Sequence, residues 1–421
     1  MSHFTRNISR DINELLSAFP AVIIQGGRQV GKSTLAQIIA SNQESRMFTL
    51  DDHETRLMFE RDPKAALSAA PHALIVIDEI QLMPELIRSI KADIDANRRP
   101  GRFLLTGSAN ILRVKGEPDS LAGRAIAVQL RGLSQGEFAG VNEDFVTAVA
   151  SGSLEPQRCS QLRASDTRSD YVAKILRGGF PGIEDYSPQL RRRWLRGYVQ
   201  AVLERDSRVL SGGSQTERIS TVARLIAANQ AGELVKDRIA RQAGVPASSI
   251  QTYLDALDAI YLVETLRPWR TNMTSREVAR RKTFVADSAL AATLNSLSEA
   301  KLSDLKNPVI GGQFEAFIAS ELLKQQSWSA TDYHLFHYRD RSGKEVDIIL
   351  ELDNGQVIAL EVKAASEYRA EHFKGLEFLR EKLGARLLAG FVVSMADHGM
   401  SAGDRLAGIP ASALWGEPSL N

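Results

Sequence analysis

The sequence predicts a multidomain α/β protein: an N-terminal parallel sheet, a helical middle block, and a second α/β block at the C-terminal end. Three observations carry this. The chain has 421 residues, enough for two to four domains at roughly 100–200 residues each. Over residues 1–140, short apolar runs alternate with helix-period stretches, the pattern of βαβ units. A purely helical interval follows, and strand-type runs return from about residue 262. Hydrophobic residues make up 43% and charged residues 24%, which excludes wholesale disorder and a small disulfide scaffold. The balance of 52 Lys and Arg against 51 Asp and Glu leaves a net charge of +1. Any nucleic-acid or membrane contact must therefore come from local patches.

The first-block strands are read at Ala21–Gln25, Arg46–Leu50, Ala73–Ile77, Arg102–Thr106 and Ala125–Leu130. Unbroken apolar runs mark strands covered on both faces. The boundaries expected are an N-terminal domain at 1–140, a polar linker at 141–168 and a helical lid at 169–212. A winged-helix domain at 213–285, a connector at 286–310, a C-terminal domain at 311–400 and a tail at 401–421 complete them. No run approaches the ~20 apolar residues of a membrane helix. Arg6 and Arg10 have no apolar stretch behind them, so no secretory signal is read. The single cysteine, Cys159, excludes an internal disulfide and a Cys-based zinc site, and fits a reducing cytosol. The expected location is cytoplasmic, without a membrane partner.

Gly26-Gly27-Arg28-Gln29-Val30-Gly31-Lys32-Ser33 follows an apolar strand and opens a helical stretch. In that setting, glycines let backbone N–H groups and a helix N-terminus face phosphates. Lys32 would reach the β/γ-phosphates and Ser33 would bind Mg²⁺. The loop from Gly26 to Thr34 is thus the expected cofactor-binding segment, for ATP with Mg²⁺. Ala73–Ile77 delivers Asp78 and Glu79 at a strand's carboxyl end, where α/β sheets bind ligands. Asp78 would join the Mg²⁺ shell and Glu79 would orient and deprotonate the attacking water. The next strand ends in Thr106-Gly107-Ser108, suited to sensing the γ-phosphate through Thr106 or Ser108. Arg124 would neutralise transition-state charge, in cis or on a neighbouring subunit of a homo-oligomer, or else pair with a local acid.

GGRQVGKSTL, LIVIDEIQ, LLTGSAN, LAGR, GGFPG, GQFEAFIASELL and EVDIILELDNGQVIALEVKAAS span nearly the whole chain. With them the N-terminal segment resembles the AAA+-type P-loop ATPases of the AAA_14 group. The whole chain resembles prokaryotic ATP-binding proteins with a DUF4143 C-terminal region. The resemblance implies ATP binding and hydrolysis. It also implies that Pro181, in Gly178-Gly179-Phe180-Pro181-Gly182, touches the nucleotide and reports its state to a helical lid; the alternative is a helix-ending turn.

Two basic segments are candidates for DNA backbone contact. Residues 191–208 hold six arginines, and 267–282 holds Arg267, Arg270, Arg276, Arg280, Arg281 and Lys282. The helix–turn–helix pattern at 233–266 resembles a winged helix. Its second helix carries Asp255 and Asp258 and no Lys or Arg, which suits packing or regulation better than base reading.

In the C-terminal block, Asp353-Asn354-Gly355 joins two strand-type runs. A three-residue loop with Gly355 in the bulge position pairs Leu352 with Gln356, and hence Asp347 with Glu361. In that register Val346, Ile348, Leu350, Leu352, Ile358, Leu360 and Val362 share the core face. Opposed carboxylates need a compensating cation. A divalent metal held by Asp347, Glu361 and Glu315, with Glu321 as rival to Glu315, would supply it. Lys363 would then steady water or phosphorane charge, the arrangement of the PD-(D/E)xK nucleases, with Val346 where their proline stands. The function expected is an ATPase whose nucleotide state gates DNA binding or cleavage. The alternative is an ATP-dependent protein-interaction switch that cuts nothing.

Overall fold

Five parallel strands build the N-terminal sheet: β1 (Ala21–Gln25), β2 (Ser45–Thr49), β3 (Leu74–Asp78), β4 (Phe103–Gly107) and β5 (Ala125–Gln129). Their order is β2-β3-β4-β1-β5. The central strands β1, β3 and β4 are buried at every residue, as unbroken apolar runs require when helices cover both faces. Because all five run the same way, Gln25, Asp78, Gly107 and Gln129 end at one edge. These coordinates are a computed structural model describing residues 4–108, 121–164, 166–206, 216–270, 280–340 and 342–416. They divide into two units: residues to Leu133 with 180–182 and 259–261, and the rest.

The second unit holds an eight-stranded sheet. Its strands are β6 (Val263–Pro268), β7 (Lys282–Val285), β8 (Tyr333–Arg339), β9 (Glu345–Leu352), β10 (Val357–Lys363), β11 (Leu387–Ser394), β12 (Met400–Ser401) and β13 (Leu406–Pro410). The order is β12-β13-β11-β10-β9-β8-β6-β7. β6 joins β8 at Arg267↔Phe336 and Pro268↔His337. One sheet therefore crosses the expected boundary between 213–285 and 311–400. Helices Thr216–Ala228, Lys236–Gln242 and Ile250–Ala259 precede the β6–β7 hairpin.

Two other expectations are corrected. Residues 141–168 are not a linker: helix Phe145–Ala150 and the turn of helix at Pro156–Gln161 bury Phe145, Val146, Val149, Leu154, Cys159 and Leu162 in the unit's core. Polar residues dominate that stretch, and its large apolar ones other than Val141 turn inward. The segment 401–421 is likewise no tail over its described part, because β13 is buried at every residue and Trp415 packs on Tyr171 and Phe317. Burial pushes the Cys159 thiol up to about 12, so it stays a protonated core residue.

The β9–β10 hairpin has the expected register. Ile358 faces Leu350, Leu360 faces Ile348, and Gly355 donates to Leu352 O with φ +79°. That left-handed turn is open to glycine at no steric cost. The one-face core is corrected: Ile349, Val357 and Ala359 are buried too, under helix Ala370–Leu383. Val346 joins them rather than Ile348, because the β8–β9 pairing shifts between Phe336 and Tyr338. A bulge of this kind moves the following side chain to the other face.

Candidate nucleotide site and C-terminal acidic cluster

In the N-terminal unit, β1 runs into the loop and helix Lys32–Ser41 starts behind it. Gly26 has φ +154°, and a Cβ there would fall 2.1 Å from Leu130 O. Gly31 and Gln29 also take positive φ, which curls the loop. The Lys32 ammonium is buried and donates to Gly26 O at 3.0 Å and Gly27 O at 2.7 Å. Desolvation lowers its pKa to about 8, against the opposing pull of Glu79 and Asp78. Ser33 Oγ donates to Asp78 Oδ1 at 2.9 Å. Thr34 is exposed on the helix's first turn.

β4 lies between β1 and β3, so Thr106 reaches across to Asp78 and hydrogen-bonds Oδ1. The same hydroxyl accepts from Glu79 N at 3.2 Å. Both its roles are committed to positioning the two acids. Glu79 is in the left-handed region at φ +59°, which turns its carboxylate toward Gln81 and Ser108. Gln81 donates to Glu79 Oε2 and to Ser108 Oγ, and Ser108 Oγ donates to Glu79 at 3.2 Å.

Three further residues come to this site without having been singled out in sequence. Gln81 stood in the LIVIDEIQ motif, and a polar residue two after the acid was its only signal. Arg6 donates to Val30 O at 2.8 Å and to Arg131 O at 2.8 Å, bracing the loop. Tyr261 donates to Gln25 at 3.0 Å, at the last residue before the loop. A sequence separation of 236 residues leaves no local signal for that contact. Pro181 belongs to the same unit: its Cγ would lie 3.7 Å from a Cβ at Gly31.

Arg124 is a correction. It precedes β5, whose Ala125 pairs with Ala21 at the start of β1. The loop follows the other end of β1, and five residues at ~3.3 Å each separate the two ends by about 16 Å. Arg124 instead grips Asp95 at 2.7 and 3.0 Å. The pairing with a local acid is what the structure shows, at the end of β1 away from the loop. The segment 109–120 before it lies outside the described residues.

The basic segments change as well. Arg191 donates to Glu184 O at 2.8 Å and braces its own helix start, while Arg192, Arg193 and Arg196 are exposed. Arg208 and residues 271–279, with Arg276, are outside the described residues. Arg280 faces Glu233 at 3.8 Å. Lys282 is no surface base, since only 6% of it is exposed.

Lys282 reaches the acidic cluster of the second unit. Its ammonium is 2.6 Å from Glu315 Oε1 and 3.3 Å from Asp347 Oδ1. Asp347 Oδ2 accepts from Val362 N at 2.9 Å and lies 4.0 Å from Lys363, which pairs with Glu361 Oε1 at 2.6 Å. Burial first, and Asp347 second, raise Glu315 and Glu361 above the usual carboxylate range. Glu321 is not in the cluster: it pairs with Lys324 at 2.5 Å and accepts from Gln135 N at 2.7 Å. The predicted acids and Lys363 do come together, but around an ammonium. Among the described residues no group of three or more His, Cys, Asp or Glu is arranged to hold a metal ion. The expected metal does not fit here, because the position between Glu315 and Asp347 is taken. At the nucleotide site the donor set does fit Mg²⁺: one hydroxyl and one carboxylate, hard oxygens side by side. No helix among the described residues is long and apolar enough to cross a membrane.

Residues 18–139 match the AAA domain model AAA_14, 168–301 a domain of unknown function, DUF8612, and 310–414 another, DUF4143. The uncharacterized proteins Rv2008c of Mycobacterium tuberculosis and Mb2031c of Mycobacterium bovis are each 27% identical over 414 residues, 97% of this chain and 84% of theirs. Among solved structures, the Walker-type ATPase PABY2304 of Pyrococcus abyssi matches with a TM-score of 0.45 and 16% identity, over 69% of this chain and 96% of that one. AMPPCP-bound DnaA from Aquifex aeolicus matches with a TM-score of 0.27 and 12% identity, over 60% and 85%. Residues 18–139 are thus similar to AAA domains of the AAA_14 group, and residues 310–414 of the same chain to DUF4143 regions.

Proposed function

We propose that this chain is a Mg²⁺-dependent ATPase that works as a nucleotide-controlled switch, with a C-terminal domain that recognises a partner without cutting it. The observation that carries the ATPase reading is the Ser33–Asp78–Thr106–Glu79 network at one sheet edge, with Lys32 folded into the adjoining loop. Backbone N–H groups of the loop would hold the phosphates. Lys32 would leave the Gly26 and Gly27 carbonyls for the β/γ-phosphates. Ser33 and Asp78 would hold the Mg²⁺, which supplies charge neutralisation on the phosphates. Glu79, released from Gln81 and Ser108, would orient water in line with the γ-phosphorus and accept its proton. The bond from that phosphorus to the β–γ bridging oxygen breaks, giving ADP and phosphate.

Pro181 beside Gly31 and Tyr261 on Gln25 are the means by which nucleotide state would reach the rest of the chain. Both are short excursions of later sequence into the N-terminal unit. The exposed Arg192, Arg193 and Arg196 favour a second reading for the partner, a nucleic-acid backbone bound but not cleaved.

Lys32→Ala should abolish ATP binding by calorimetry; undiminished affinity would sink the site. Oligonucleotide and plasmid incubation with Mg²⁺ or Mn²⁺, with and without ATP, tests the non-cleaving reading. Cutting by the wild type that is lost in Lys363→Ala would replace it with an ATP-gated nuclease.

A further inference from the structure

We propose that Lys282 is the resident cation of the acidic cluster, and that its ammonium closes the cluster to divalent metal ions. Glu315 comes from helix Val309–Gln325, Asp347 from β9 and Glu361 from β10. Carboxylates gathered this way repel one another, and burying them calls for positive charge in their midst. β7 delivers that charge at its first residue, with Nζ at 2.6 Å from Glu315 and 3.3 Å from Asp347.

The spacing distinguishes the two kinds of cation. An ammonium offers three donors at hydrogen-bond length, whereas Mg²⁺ draws oxygens to ~2.0–2.1 Å in near-octahedral array. The distances here are those of the ammonium. Asp347 is the carboxylate that both lysines share, and both its oxygens are already engaged, one by Lys282 and the other by Val362 N–H. Lys282 is held in place by its backbone as well, through its pairing with Leu266 and its bridge to Glu233.

Two ammoniums do not satisfy three carboxylates. Glu361 Oε2 is buried without a hydrogen-bond partner among the described residues, an oxygen left over once Lys363 has taken Oε1. Without Lys282, Lys363 alone would offset the Glu315, Asp347 and Glu361 carboxylates, and it sits on Glu361. That donor set is the chemistry a hard divalent cation takes. The wild-type chain therefore needs no metal there; the three acids do not stand at metal-ligand spacing around Lys282, and loss of the amine frees them to close on a divalent ion.

The inference deepens the non-cleaving reading of the C-terminal domain, and its test is separate from the cleavage assay. Nucleotide-free, full-length protein is titrated with Mn²⁺ alone, by calorimetry and by electron paramagnetic resonance of the bound ion. The chains compared are wild type, Asp347→Asn, Lys282→Ala and Lys282→Ala/Asp347→Asn. The expected result is no Asp347-dependent Mn²⁺ in the wild type, one additional site in Lys282→Ala, and its loss in the double variant. Wild-type binding that disappears in Asp347→Asn overturns the proposal. So does a cooperatively melting Lys282→Ala chain with no additional site. Should Lys282→Ala fail to fold, Lys282→Met keeps the length of the stem, and the wild-type comparison decides on its own. A wild type that binds no such Mn²⁺ yet cuts DNA sinks only the non-cleaving reading; one that binds it and cuts nothing sinks only this inference.

Discussion

Lys32 is a buried ammonium whose partners in the loop are two carbonyls, and desolvation has brought its pKa from the ordinary 10.5 to about 8. ATP phosphates favour the charged form, so binding raises that value again. Below pH 8 the amine is already protonated and affinity should be flat with respect to this group. Above pH 8 the free protein must take up a proton to bind, and affinity should fall by up to about ten-fold per pH unit. Calorimetry in buffers of different ionisation enthalpy at pH 8.5–9 checks this through proton uptake. The stability of the nucleotide-free chain moves the other way. Between the folded and unfolded pKa values the unfolded state holds more protons, so stability rises with pH in that window. Glu79→Gln should keep ATP affinity and slow turnover by ~100-fold or more, and wild-type turnover in that variant would remove Glu79 as the base. Arg124→Ala should leave turnover per subunit unchanged and independent of protein concentration, since its guanidinium is spent on Asp95; a loss would restore a role on a neighbouring subunit.

At the scale of elements, the caps show how local sequence places the site's supports. Asp287 caps helix Ser288–Leu294 by accepting from Ala289 N at 2.9 Å and Leu290 N at 3.1 Å, and also takes Gly179 N at 2.7 Å. The turn leading to Pro181 is thereby tied to a helix more than a hundred residues later. Asp287→Ala should cost about 1–2 kcal/mol by urea denaturation. No measurable loss would show that the Gly179 tie carries no weight. Ser134 and Glu137 form a reciprocal capping box, with both bonds at 3.0 Å, and Thr167 and Asp170 form another. Such signals are legible in sequence because donor and acceptor lie within one turn. The β9–β10 register was legible for a related reason: the turn residues and the apolar alternation specify the same pairing. The side chain of Val346 was not, because a bulge is set by the neighbouring strand β8.

Across the whole molecule, segments 180–182 and 259–261 belong with the N-terminal unit although their sequence neighbours belong to the other. If they report nucleotide state, ATP should slow amide exchange in both as well as in the phosphate loop. Unchanged exchange in both would remove them from that role. At the same scale, one sheet spans the expected division at 285/311. β6 pairs with both β7 and β8, and no composition shift marks a sheet that draws strands from two stretches of chain.

By itself the sequence determined the glycine-rich loop between strand and helix, the two acids at the end of β3, the five-strand alternation and the β9–β10 register. Each rests on residues close together along the chain, where period, spacing and turn chemistry act directly. Only the tertiary structure decided which cation the acidic cluster holds, which arginine is spent on a local acid, and what Tyr261 and Pro181 touch. Those outcomes depend on groups brought together from distant sequence, where burial and charge compensation are settled by neighbours that no local pattern names.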